Sequence, residues 1–137
     1  MKRSLLLCTE RQEQRALVSW LFYHPILKNY FCKIDNEGKR TPAQGAQSKL
    51  MGLRPGVSDL FIYFPTEFYA GLWLEIKQDR RYTNSEKLTK TWIAQEAFIE
   101  AVRDVGYYAD FCYGWEDGKR IVENYLEPVI SMTNGTE

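Results

Sequence analysis

The chain has 137 residues, 45% of them apolar and 15% aromatic, with 18 Lys+Arg against 18 Asp+Glu and a single histidine. That length suits one folded domain with its own core, and the apolar content excludes a disordered chain. Zero net charge argues at first sight against a nucleic acid or anionic membrane partner, and one histidine excludes a multi-histidine metal site.

Leu5-Leu6-Leu7-Cys8 is too short for a signal-peptide core, and no stretch approaches the roughly 18 apolar residues of a membrane span. Cys8, Cys32 and Cys112 are widely spaced and contain no Cys-x-x-Cys pair, so they read as reduced thiols of a cytosolic protein.

Thr9 to about Tyr23 is predicted as the first helix. Thr9 and Gln12 form a capping box, Ala16, Leu17, Trp20 and Leu21 make the apolar face, and His24-Pro25 stops it. His24 reads as structural or surface. Tyr30 to Asp35 is predicted as a strand, followed by the polar turn Asn36 to Arg40. Thr41-Pro42 opens a short helix through Met51, ended by Gly52. Val57 to Phe64 and Leu72 to Ile76 are predicted as two strands joined by a turn, and a basic stretch runs from Lys77 to Lys90. A helix from about Thr91 to Val105, a strand from Tyr107 to Tyr113 and a helix from Trp115 to Leu126 complete the order α-β-α-β-β-α-β-α, a mixed sheet flanked by helices. The domain covers 1–137, with its core at about 9–126 and a loose tail at 133–137.

In antiparallel strands the start of the first lies beside the end of the second, so Asp59 and Glu75 are expected to be neighbours. Glu75 and Lys77 are two apart and share a face. Two carboxylates in an apolar setting repel unless a cation lies between them, and a hard divalent ion such as Mg²⁺ is the natural partner. The lysine beside them can orient water or stabilise charge developing on a phosphate. Taken singly, either element reads equally as an edge-strand charge or a plain salt bridge.

Gly52-x-Arg54-Pro55-Gly56-x-x-Asp59, then Gly71-Leu72-x-x-Glu75-x-Lys77 and a helical Gln95, resembles the VRR-NUC domain of the PD-(D/E)xK nuclease superfamily. The resemblance spans about Thr9 to Leu126. It implies a restriction-endonuclease-like α/β fold, dependence on Mg²⁺ or Mn²⁺, and DNA cleavage. It casts Asp59 and Glu75 as metal ligands, completed by the backbone carbonyl of Ile76, and Lys77 as the residue that positions or activates water. Ser58 stands where the name-giving proline would be. Stand-alone members tend to be homodimers acting on branched DNA such as Holliday junctions, in the cytoplasm of a bacterial or phage-infected cell.

The family also carries a glutamate in its first helix and a glutamine in the helix after the Glu-x-Lys strand. Gln95 matches the second, although a core-edge glutamine with a local hydrogen bond would look the same. Glu10 and Glu13 both lie near the apolar face of the first helix. Glu10, four residues before Gln14, matches the pattern better as a catalytic and metal-site carboxylate, and Glu13 reads as a solvated face residue.

Charge counted by segment changes the first impression. Residues 28–54 carry six basic and two acidic side chains (+4), residues 77–90 five and two (+3), and residues 96–137 three and nine (−6). The basic segments flank the proposed site and make Lys39, Arg40, Lys49, Arg54, Arg80 and Arg81 candidate phosphate contacts. Lys39 and Arg40 fit an ordinary polar turn equally well, and Tyr82 could stack on a base. The leading reading is an endonuclease for branched DNA. The alternatives are a non-catalytic DNA-binding or interaction domain on the same fold, and a nuclease for RNA or single strands.

Overall fold

The computed structural model describes residues 6–35 and 41–134. Four helices, α1 (Glu10–Phe22), α2 (Pro42–Leu50), α3 (Lys90–Asp104) and α4 (Trp115–Asn134), surround four strands, β1 (Phe31–Lys33), β2 (Leu60–Ile62), β3 (Leu72–Lys77) and β4 (Tyr108–Tyr113). The strands form one sheet in the order β1-β2-β3-β4, with β1-β2 and β2-β3 antiparallel and β3-β4 parallel. The parallel step follows from α3, which crosses between β3 and β4 and returns the chain in the same direction.

One face of the sheet makes the main core. Leu60, Ile62, Leu72, Leu74, Ile76 and Cys112 pack there against Leu17 and Leu21 of α1 and Ile121, Val122 and Leu126 of α4. Gly118 lets the two helices approach, because a Cβ there would lie 2.8 Å from Leu17. The other face meets α3 through aromatic rings. Phe61 stacks on Trp73 at 4.1 Å, Trp73 meets Phe98 edge-on, and Trp92 stacks on Phe111 at 4.9 Å. The capping box at Thr9–Gln12 closes as the sequence predicts, and the cap at Thr41 forms a second box with Gln44. His24 is structural: its Nδ1 accepts from the backbone N–H of Ile26 and Leu27, both at 3.1 Å.

Several predicted boundaries move. The strand expected over 57–64 pairs only from Leu60 to Ile62, so Asp59 lies just ahead of it. The strand expected over 30–35 is likewise three residues long. The last helix runs beyond Leu126 to Asn134 through Pro128. Proline removes one donor but leaves the rest of the ladder, and the buried Tyr125 and Leu126 anchor the helix just before it. Thr133 and Asn134 therefore belong to α4 instead of a loose tail, while 135–137 lie outside the described residues. Among the described residues no helix is long and apolar enough to cross a membrane.

Candidate active site

The antiparallel register pairs Leu60 with Leu74, so the next pair outward brings Asp59 opposite Glu75. The two carboxyl groups share a hydrogen bond. Glu75 is only 3% exposed. Burial pushes its carboxyl up to about 10, the hydrogen bond and charge of Asp59 push the same way, Lys77 opposes, and Glu10 adds a small further rise. Asp59 is oriented from the other side, because the N–H of Ile76 donates to its Oδ2 at 2.8 Å. Two residues along β3, Lys77 lies on the same side as Glu75, toward α3. Its Nζ donates to Gln95 Oε1 at 2.7 Å and sits 4.4 Å from the centre of the Trp92 ring. At 6% exposure this ammonium is held between a carbonyl oxygen and an aromatic face.

The loop ahead of Asp59 is built to meet α3. Gly56 has φ +83°, and a Cβ on it would fall 2.3 Å from the carbonyl oxygen of Ala94 and 2.8 Å from the amide nitrogen of Gln95. The glycine therefore lets the Arg54-Pro55-Gly56 turn press on the helix backbone where Gln95 begins. Ser58 is wholly buried and its hydroxyl finds no partner among the described residues.

The two first-helix glutamates separate by environment. Glu10 is exposed and lines a cleft of about 760 Å³ that also reaches Asp59. Glu13, expected on a solvated face, is instead 7% exposed, and its Oε1 accepts from the N–H of Trp115 at 3.1 Å. It satisfies one of the open N–H groups at the start of α4, where negative charge is favoured. The expectation failed because α4, distant in sequence, covers that side of α1.

The predicted basic contacts divide in the same way. Lys49 and Arg54 are exposed, and Lys39 and Arg40 lie outside the described residues. Arg80 is engaged by both oxygens of Glu86, at 2.6 and 3.2 Å, and stacks over Tyr82 at 3.8 Å, while Arg81 is exposed. Tyr82 is itself packed on Trp92 and accepts from the N–H of Gln78 at 3.0 Å, so it serves the fold of this loop. Trp92, three residues before Gln95 on the same helical face, is placed by that spacing to touch Lys77 as well.

The donor set suits a hard cation. Two carboxylates that compete for one proton in a buried setting can both ionise only beside positive charge, and oxygen donors are what Mg²⁺ or Mn²⁺ take. Among the described residues no three His, Cys, Asp or Glu side chains gather closely enough to hold a metal by themselves, so the donors at hand are Asp59, Glu75 and backbone oxygen.

No family model matches the chain, and no curated protein matches it. A solved structure described as a VRR_NUC domain protein shares its architecture, with a TM-score of 0.70 and 25% identity over 90% of this chain and 93% of the other. This chain has the VRR-NUC fold. It is the fold of a nuclease family, and the four-stranded mixed sheet flanked by helices is the architecture that the motif resemblance implied. The Leu53-Arg54-Pro55-Gly56 turn, the Glu75-Ile76-Lys77 strand and the Gln95 helix converge at one end of the sheet.

Proposed function

We propose that this VRR-NUC chain is a divalent-metal-dependent endonuclease that hydrolyses phosphodiester bonds in DNA, with branched DNA such as a Holliday junction as its substrate and a homodimer as its working form. The observation that carries this reading is the meeting of Asp59 and Glu75 beside a Lys77 whose ammonium is fixed by Gln95. Asp59 and Glu75, with the carbonyl of Ile76, would hold Mg²⁺ or Mn²⁺, and Glu10, exposed on the cleft that reaches Asp59, would add negative charge toward the ion. When bound, that ion supplies positive charge for the scissile phosphate and lowers the pKa of water.

The chain's own residues do the rest. Ile76 N–H keeps one Asp59 oxygen fixed and so sets the plane of its carboxylate. Lys77, prevented from swinging by Gln95 and Trp92, presents its remaining N–H donors to the attacking water and to the phosphate oxygens, where charge grows. The water oxygen gives up one proton to solvent and bonds to phosphorus as the bond to the leaving sugar oxygen breaks, and that oxygen takes up one proton from solvent. Exposed Lys49, Arg54 and Arg81 would bind the backbone away from the cut. The three free thiols suit a reducing cytoplasm, as in a bacterial or phage-infected cell.

The test is cleavage of four-way junction, flap and linear duplex DNA with Mg²⁺, Mn²⁺ or EDTA, alongside Asp59→Ala and Lys77→Ala. Metal-dependent cutting that both variants lose supports the enzyme. Tight binding without cutting in any metal would replace it with a DNA-binding module. Elution as a monomer at working concentration would remove the dimer.

A further inference from the structure

The cleft that ends at Asp59 continues along one side of α1, away from the carboxylates. Arg11, Arg15, Val18 and Phe22 follow one another at intervals of four, three and four residues, so they form a stripe on one helical face. All four line the cleft, with Tyr23 at its far end and Lys33 opposite. The stripe from Arg11 to Phe22 is about 17 Å long at 1.5 Å per residue. Its character changes along that length: cationic near Asp59, then apolar, then aromatic. Phe22 is 61% and Tyr23 87% exposed, unusual for rings at the end of a helix with a buried core face. Lys33 is also exposed and only loosely paired, 3.9 Å from Asp35.

We infer that this cleft is the seat of an unpaired nucleic acid strand leading away from the scissile phosphate. Arg11, Arg15 and Lys33 take its first phosphates, and Phe22 and Tyr23 stack on bases further along. A duplex offers a groove of this kind only phosphates and sugars, whereas apolar and aromatic side chains suit bases that have left the stack. At the duplex rise of about 3.4 Å the length would take at most about five nucleotides, and an unstacked strand, being more extended, takes fewer. The consequence is specificity: substrates with a free or splayed strand beside the cut are preferred to continuous duplex. This inference rests on the nuclease reading and adds to it the course of one strand.

The test is binding in EDTA, where nothing is cut, of a short fluorescent oligothymidine and of a duplex with and without a single-stranded tail. The tail carries 2-aminopurine, whose fluorescence is quenched by stacking. Wild-type protein is expected to bind the tailed duplex more tightly and to quench the tail. Arg15→Ala and Lys33→Ala should each weaken binding and lower the salt slope by about 0.7, the value for one phosphate on a single strand. Phe22→Ala and Tyr23→Ala should weaken binding about tenfold and relieve the quenching with the salt slope unchanged. Phe22 also touches Phe31, so the more exposed Tyr23 guards against a folding effect. If wild type binds DNA but all four variants match it, or if the tail adds nothing, the strand does not run along α1 and the inference falls while the nuclease reading stands. If wild type binds no DNA at all, the nuclease reading falls with it.

Discussion

Lys77 Nζ and Gln95 Oε1 lie 2.7 Å apart, joining the last residue of β3 to the second turn of α3. Both partners are largely removed from water, so breaking the pair strands a buried ammonium. A hydrogen bond to a charged group contributes about 2 kcal/mol. Gln95→Leu should lower stability by about that amount in urea denaturation, and Lys77→Met should recover part of the loss when the two are combined. Strict additivity in that double-mutant cycle would show that the two side chains are not coupled.

Glu75 makes metal-free stability depend on pH. Its folded carboxyl is raised from 4.5 to about 10, so between those values the folded state holds a proton that the unfolded state has lost. Its contribution is complete below about pH 4.5 and declines as pH rises toward 10. In EDTA, the Tm of the wild type should therefore fall relative to Glu75→Gln as pH is raised through this window, and a constant difference would refute the shift. Added Mg²⁺ should raise the wild-type Tm and leave that of Glu75→Gln unmoved, since a ligand at 100 times its Kd stabilises by about 2.7 kcal/mol only where it binds.

Gly56 and Gly52 both have positive φ, +83° and +101°, but only Gly56 has backbone in the way of a Cβ. Gly52→Ala should cost about 1 kcal/mol, the left-handed strain alone. Gly56→Ala adds the clash with Ala94 and should cost at least about 3 kcal/mol in thermal or urea unfolding. It should also displace Gln95 from Lys77. Equal costs at the two sites would mean that the loop does not bear on α3.

Glu13 and Glu10 should separate cleanly by readout. Glu13→Ala removes the acceptor for Trp115 N–H and should destabilise by about 1–2 kcal/mol, with Glu13→Gln recovering most of it. Glu10→Gln, at an exposed position on the cleft, should leave the melting temperature in EDTA within a degree or two of wild type and weaken the Mg²⁺-induced rise. The reverse pattern in calorimetry would exchange their roles.

Ser58 carries a buried hydroxyl without a partner. Removing an unsatisfied buried polar group is neutral or favourable, so Ser58→Ala should keep or raise the melting temperature by up to about 1 kcal/mol equivalent. A loss above 1 kcal/mol would reveal a hydrogen bond at that oxygen.

The order of elements was readable along the chain because caps, glycine stops and apolar spacing act over a few residues. Thr9–Gln12 and Thr41–Gln44 close their boxes locally, and Asp59 meets Glu75 because a short antiparallel connection leaves little freedom in register. Strand ends were overestimated because β propensity extends past the paired ladder: Val57 and Ser58 look like strand but lie outside the β2 pairings, and Asp59 adds only a single bond, its carbonyl accepting from the N–H of Ile34 at 2.9 Å.

What local pattern could not convey was which distant surfaces would cover each side chain. Glu13 became a buried cap only because α4 begins beside it, and Arg80 became tied to Glu86 only because the loop after β3 folds back. The cleft along α1 likewise exists only where the helix stands over the edge of the sheet. Residue types and spacing are properties of the chain, so motif, element order and net charge could be read from it directly. Burial and electrostatics at a given atom depend on groups brought in from a hundred residues away, and only packing of the sheet between its helices decides them.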